Sequence, residues 1–460
     1  LDSLASKDTT QHKPLDLRIG SVIIRHGSIA YNQRDITSAA GVFSPQHIGI
    51  SNLSAHIALH HLTDNDIHLS IKKIAFTDKS GLQVKNLRFK VNADKHQARL
   101  SDFQLELPKS HLLLEDLIAT YRTNEKGTLI SETLQFEGGI KPSLITLSDV
   151  ACFAPILRKW NDALYIDTHF SGTSTSARIH QLHFKTQSGS ILLKANAKAS
   201  DWNRKLHWLA NIETLRVSDE GVEQIAANLG SKVKIPKEVL RLGNIYYKGV
   251  ASGKGKSQIG TKGVLRTDAG NVEIDAHQNG KQLYAKVDTK GINLGKILDN
   301  AKLGIIAAHI IAQGTKEHLV AKGEIPLFDF NNYRFSNIRL DGSYNKGLID
   351  GLASIADPNI NLQVAGKYSI PKKQYEAQLN LAHLQPTVLG VKMADNTYTL
   401  NDIRVSAKNE GADSYLDLEA PFANIHVKGQ YDYGTLVQTM TNMLASKLPT
   451  LPGIGKTSNK

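Results

Sequence analysis

The feature that most constrains this chain is a two-residue alternation of apolar and polar side chains, repeated from one end to the other. Leu87-Arg88-Phe89-Lys90-Val91-Asn92-Ala93-Asp94 alternates over eight positions without an error. A β-strand turns successive side chains to opposite faces, so such a run builds one apolar face and one wet face. Ile360-Asn361-Leu362-Gln363-Val364 and Leu416-Asp417-Leu418-Glu419-Ala420 repeat the pattern. In the run from Ile191 to Lys198, Ile191, Leu193, Ala195 and Ala197 share one side, with Lys194, Asn196 and Lys198 on the other.

Turn signals separate the runs: Asn124-Glu125-Lys126-Gly127, Ser188-Gly189, Asp268-Ala269-Gly270, Asn279-Gly280, Asn345-Lys346-Gly347 and Asn409-Glu410-Gly411. These residues tolerate the positive φ of tight hairpins. The expectation is a mostly β fold: a long antiparallel, curled, repeating β-groove with a few short helices. At one strand per 12–15 residues, roughly 25–30 strands follow.

Four segments carry helical patterns. Leu147–Trp160 is interrupted by Pro155, which splits it. Ser218–Leu229 opens on Ser-Asp-Glu and continues with Val222, Ile225 and Ala226 at helical spacing. Leu294–Leu298 is a short turn, and Leu436–Leu448 is an amphipathic helix stopped by Pro449. A weak internal repeat relates the segment from Leu147 to Gly172-Thr173 to the segment from Ile292 to Gly314-Thr315, with a partial third copy from Gly429. The expected divisions are a linker over 1–14, β-sheet segments over 15–142, 143–316 and 317–434, and a C-terminal helix and tail over 435–460.

Composition narrows the function classes. The 460 residues are 41% hydrophobic and 21% charged, which is apolar enough to order. The one cysteine, Cys152, excludes an internal disulfide and a cysteine-based zinc site, and reads as a small buried hydrophobe. The formal net charge is +12, but the lysines are spread along the chain and aromatic residues are only 6%. That is thin for the stacking platforms of a nucleic-acid binder, so no nucleic-acid partner is expected. A diffuse positive field fits anionic lipid surfaces better.

No stretch approaches the roughly 18 apolar residues of a membrane span; the longest block, Leu303 to Ala312, is broken by Gly304 and His309. Gly455-Lys456-Thr457 lacks the glycine that a phosphate-binding loop needs at position 450, and Gly253-Lys254-Gly255 lacks one at 258. His56, His60, His61 and His68 form the densest histidine group, but no carboxylate spacing accompanies them, so they read as polar-face histidines. No metal, cofactor or catalytic residue is expected, and carboxylates are scattered singly. The chain reads as non-enzymatic.

What remains is the apolar face itself. The residues expected to line it are Leu87, Phe89, Val91, Ile191, Leu193, Ile360, Leu362, Val364, Leu416 and Leu418. Either two sheets close on each other as a sandwich, or the face stays open as a trough that binds an apolar ligand. Periodicity alone does not choose.

The opening Leu15-Asp16-Leu17-Arg18-Ile19-Gly20-Ser21-Val22-Ile23-Ile24-Arg25-His26-Gly27-Ser28-Ile29-Ala30-Tyr31 resembles the strand pair of AsmA-like and TamB-like envelope proteins. Gly41 to Leu53, Lys79 to Leu87, Leu105 to Ser110, Gly291 to Leu298 and Gly429 to Leu436 continue the resemblance. It implies a periplasmic protein of Gram-negative bacteria, tethered to the inner membrane by an N-terminal helix. It implies a taco-shaped sheet that carries phospholipid between the inner and outer membranes and cooperates with an outer-membrane barrel. The anchor and the barrel-docking domain are not recognisable here, so the chain reads as an internal piece whose barrel contact lies outside it. The alternatives are an outer-membrane assembly scaffold, which binds strands at sheet edges, and a structural β-sandwich array.

Overall fold

A computed structural model describes residues 15–429 except 35, 36, 38, 64, 65, 126, 161, 230–234, 256, 392–394, 396, 411 and 412. The expected linker over 1–14 and the expected helix Leu436–Leu448 lie outside the described residues. The chain divides into two compact units, Leu1–Gly280 with Lys296–Asp299, and Lys281–Gly295 with Asn300–Lys460.

The first unit holds β1 (Asp16–Asn32), β2 (His47–Thr63), β3 (Ile67–Asp78), β4 (Gln83–Ala93), β5 (Gln97–Glu106), β6 (His111–Leu113), β7 (Leu117–Thr123), β8 (Leu129–Thr146), β9 (Ala163–Thr173), β10 (Ser176–Thr186), β11 (Ile191–Ser200), β12 (His207–Val217), β13 (Ile245–Lys254), β14 (Gln258–Thr267) and β15 (Gly270–Asn279). Between β12 and β13 stand α1 (Asp219–Leu229) and α2 (Lys237–Leu240). The second unit holds β16 (Gln282–Asn293), β17 (Leu303–Gly314), β18 (His318–Phe330), β19 (Tyr333–Asn345), β20 (Leu348–Asp357), β21 (Ile360–Ser369), β22 (Gln374–Leu384), β23 (Leu400–Asn409), β24 (Tyr415–Ala420) and β25 (Ala423–Lys428). A third short helix, α3 (Leu294–Leu298), follows β16.

The mostly β, antiparallel architecture expected from the alternation is the observed one. Within each unit nearly every strand pairs antiparallel with its sequence neighbour. The one detour is at β6, where β5 pairs both β6 and β7, and β8 pairs both as well. Gly127, Gly189, Gly280 and Gly347 take positive φ at the hairpin turns, as the turn chemistry requires. The divisions expected at 142/143 and 316/317 fall inside β8 and in the β17–β18 turn.

Among the described residues, helices form in three of the four segments whose pattern predicts them, and two more appear. Leu147–Trp160 is split into two single turns, Leu147–Val150 and Pro155–Lys159, with Pro155 opening the second. The Ser218 hydroxyl caps α1 by accepting from the Gly221 N–H at 3.2 Å. The helices α2 and Pro386–Leu389 are four residues each, too short to leave a period in the sequence. Among the described residues no helix is long and apolar enough to cross a membrane.

Bulges adjust the strand faces. His26, Asn52, Asp102, Asn337 and Asp402 take positive φ inside strands, a conformation that Asn, Asp and His tolerate better than other side chains. At Asn337 the ladder steps from Leu327↔Ser336 to Ile325↔Ile338, so Phe335 and Ile338 both turn inward although three residues apart. The parity change expected near Lys73 is a register shift between Ile71 and Ile74. Cys152 is buried, and burial pushes its thiol above the usual range.

One buried carboxylate ties down the second unit. Asp357 is 5% exposed and accepts from the Ser336 N–H at 3.0 Å, the Ser336 hydroxyl at 2.7 Å and the Asn359 N–H at 3.0 Å. The Tyr333 hydroxyl donates to it as well. Burial works to raise the Asp357 pKa, but these hydrogen bonds outweigh it and hold the carboxyl below its ordinary value. The same burial and the bond to Asp357 push the Tyr333 phenol up. A carboxyl whose folded pKa is depressed stabilises the fold above its unfolded pKa, about 3.9, and that contribution is lost as pH falls through the lower folded value. Asp357→Ala is therefore expected to destabilise the chain by about 2–4 kcal/mol at neutral pH. Urea unfolding at pH 7 and at pH 2–3 checks this: the gap between variant and parent should shrink in acid.

Candidate functional site

In the second unit the pairing aligns inward-facing residues into lines that run across the strands. One line joins Ile325, Ile338, Ile355, Leu362, Leu381 and Ile403. The next, about two residues along each strand, joins Gly323, Leu340, Ala353, Val364, Leu379, Val405 and Leu418. The third joins Ala321, Gly342, Gly351, Gly366, Ala377, Ala407 and Leu416. A fourth carries Leu319, Tyr344, Ile349, Tyr368 and Tyr375. Side-chain size thus falls from branched aliphatics to glycine and rises again to tyrosine.

The bulky end is closed. Val388, on the turn Pro386–Leu389, packs into one cluster with Phe335, Ile338, Ile360, Leu381 and Ile403. Ile360 is 4% exposed there, and Leu362 packs against the cluster. The middle is open. A furrow of about 440 Å³ runs over Gly342, Gly351 and Gly366, with Leu340, Ala353 and Val364 on one bank and Ile349, Tyr368 and Tyr375 on the other.

These three glycines are not demanded by the backbone. None has positive φ. A Cβ on Gly351 would meet nothing nearer than the Asp341 carbonyl oxygen at 3.7 Å, and one on Gly342 nothing nearer than the Asp350 carbonyl oxygen at 3.6 Å. At Gly366 the nearest atom is the Glu376 carbonyl oxygen at 3.4 Å. Strand glycine costs about 0.5–1 kcal/mol relative to alanine, so three in a row hold space open at a loss of stability.

The opposite face is ionic. Lys322 pairs with Asp341 at 3.4 Å and Lys367 with Asp350 at 3.6 Å, each across neighbouring strands. The loops beyond the tyrosine line carry exposed Lys316, Lys346, Lys372 and Lys373 together with Glu317, and Glu410 and Asp413 stand in the adjoining β23–β24 loop. That end of the furrow is therefore rich in lysine.

The first unit repeats the grading. Ile191, 7% exposed, packs with Val217 under Val222 of α1, and Phe184, Leu215 and Ile245 join them. Leu193 lies one line further, opposite Phe184 and Leu215. Beyond it come Ala195, Ala197, Ala210 and Ala251, then Trp208 opposite Ala199 and Gly253. A hollow of about 740 Å³ at that end is lined by Phe136, Gly172, Ala177, Ala199 and Trp208 with Arg178, Lys198 and His207, and is more polar than the furrow of the second unit. Leu87, Phe89 and Val91 stand on β4 opposite Ile74, Ile71 and Leu69 of β3, and Phe89 stacks on Phe103.

The ten residues expected on the apolar face thus occupy four separate strands. Val364 is a lining residue of the furrow, and Leu418 extends its line three strands on. Leu416 continues the glycine line. Ile191 and Ile360 sit at the closed ends, and Leu87, Phe89 and Val91 are remote from the furrow in sequence and in pairing. Gly342, Gly351 and Gly366 were not singled out by sequence reasoning, because an isolated strand glycine carries no signal until the register aligns three of them.

Compared with protein-family models, with curated proteins and with solved structures, the chain matches none of them.

The glycines make a sharp test of what each is for. Gly351→Ala adds a methyl to open space on a strand and is expected to leave stability unchanged or raise it by up to about 1 kcal/mol. Gly249→Ala, in the first unit, places its Cβ 2.4 Å from the Lys262 carbonyl oxygen and is expected to destabilise. Paired denaturant melts of the two variants read the contrast.

Proposed function

We propose that the chain is a non-catalytic lipid-binding conduit segment, in which the apolar sheet face receives phospholipid acyl chains. The observation that carries this reading is the glycine furrow of the second unit: an apolar channel about 440 Å³ in volume, kept open by residues that nothing in the backbone requires. Strands stand about 4.8 Å apart, so the line from Ala321 to Ala407, over six strands, extends on the order of 24 Å. Such a slot suits a flexible apolar chain better than a compact polar metabolite. Each buried methylene contributes about 0.8 kcal/mol, and a line of near-equivalent positions offers no deep trap. Tyrosines on one bank and lysines in the loops beyond them place phosphate-compatible groups at one side of the furrow.

The resemblance of the opening strands to TamB-like proteins supports the same reading and adds a periplasmic setting, with phospholipid moving between inner and outer membranes. Energy and direction are then supplied by partners at either end, including an outer-membrane barrel contacted outside this chain. An assembly scaffold would instead use the sheet edge: β1 is paired on one side by β2, and Ile23, Ile29 and Tyr31 on it are exposed.

Native mass spectrometry with lipid extraction tests the proposal. Purified chain is expected to carry phospholipid. Val364→Asp and a Gly351→Leu, Gly366→Leu double variant should lose at least half of it with unchanged circular dichroism. A folded parent chain that is lipid-free and takes up no fluorescent phospholipid overturns the reading, as does full lipid loading of both variants.

A further inference from the structure

The hairpin tip between β2 and β3 gathers groups that are scattered in the sequence. His61 and His68 face each other directly across the two strands, with ring centroids 6.2 Å apart. Asp66 enters between them from the turn. Its backbone is fixed by two hydrogen bonds: its N–H donates to the Thr63 hydroxyl at 3.0 Å, and its carbonyl accepts from the Thr63 N–H at 2.9 Å. One ligand atom from each of His61, Asp66 and His68 lies within 4.8 Å of the other two.

The carboxylate of Asp66 is the telling group. Its Oδ1 is shielded from solvent and stands 2.8 Å from His61 Nδ1, at ion-pair distance. A divalent cation at this point would be held by the carboxylate and both imidazoles at once. Asp16 Oδ1, at the start of β1, lies 3.7 Å from the other ring nitrogen of His61, Nε2, and so stands outside the group. Asp16 is oriented by Arg18, whose Nε donates to it at 3.1 Å.

We propose that His61, Asp66 and His68 form a binding site for a zinc-class divalent cation, with water in the fourth position. Two imidazoles and a carboxylate match borderline transition metals, whereas magnesium and calcium want oxygen donors throughout. Zinc bonds to nitrogen and oxygen run about 2.0–2.2 Å, which puts tetrahedral donors roughly 3.3–3.6 Å apart; the 2.8 Å contact of His61 with Asp66 would open by about 0.5 Å, and separations of up to 4.8 Å would close by about 1 Å. His68 is exposed. This inference stands apart from lipid binding, because the site lies on other residues.

Isothermal titration of EDTA-stripped protein with zinc chloride, followed by thermal melts, tests it. One tight equivalent and a zinc-dependent rise in melting temperature are expected, with no response to magnesium. His68→Ala changes an exposed side chain and should fold normally while weakening zinc at least tenfold, and His61→Ala and Asp66→Asn should do the same. The proposal fails if the parent chain binds no zinc. It also fails if zinc binds His68→Ala and His61→Ala as tightly as the parent, which would assign the ion to others of the 18 histidines.

Discussion

The ladder of backbone hydrogen bonds between neighbouring strands is the constraint on which the rest depends. It satisfies the peptide groups, and it holds residues of alternate parity on opposite faces. Once Leu340, Ala353, Val364 and Leu379 are in register, their apolar side chains have one direction to go. Lys322 with Asp341, and Lys367 with Asp350, are sent to the other side by the same rule. Each unit therefore owns an apolar face that its short helices are too few to cover. Val222 of α1 and Val388 of the Pro386–Leu389 turn close only one end of each face.

How the remaining surface is graded matters more than how much there is. Branched residues lie where a helix covers them, glycine and alanine lie in the middle, and tyrosine or tryptophan stands beyond. Bulges make the grading possible. Asn337 at positive φ lets Phe335 and Ile338 both face inward, which concentrates bulk at the closed end and leaves the strand middles to small residues. The Asp357 network sits at that same end and joins β19 to the connection between β20 and β21. Stability is concentrated where the face is closed.

Much of this was legible in the chain, because period-two alternation is a local signal. The strand runs around Leu87, Ile191, Ile360 and Leu416, the helix after Ser218, the break at Pro155 and the shifted parity near Lys73 are all written in consecutive residues. What was not legible depends on register between strands. Gly342, Gly351 and Gly366 are separated by eight and fourteen positions and become a row only when β19, β20 and β21 are aligned. Asp66 looks like an ordinary turn residue until the pairing of His61 with His68 brackets it. The helices Lys237–Leu240 and Pro386–Leu389 are too short for any periodic signature.

The row of glycines also bears on whether this face is open or closed by a second layer. Protein interiors are packed to crystal-like density, and a void in a core costs stability in proportion to its volume. A partner sheet laid over Gly342, Gly351 and Gly366 would have to fill the furrow with large side chains of its own, while the parent strands kept glycines that their backbones do not require. Larger residues at those three positions would serve a permanent core better, since a Cβ there meets ordinary van der Waals distances. Retaining glycine makes physical sense where the space is occupied by something that comes and goes and that is thin enough to lie against a bare backbone. Gly249 and Gly263 of the first unit mark the opposite case: their backbones and Tyr247 approach so closely that no side chain fits, and nothing about a ligand follows from them. The distinction between a glycine that is forced and one that is spared separates the furrow from the sheet's other small residues.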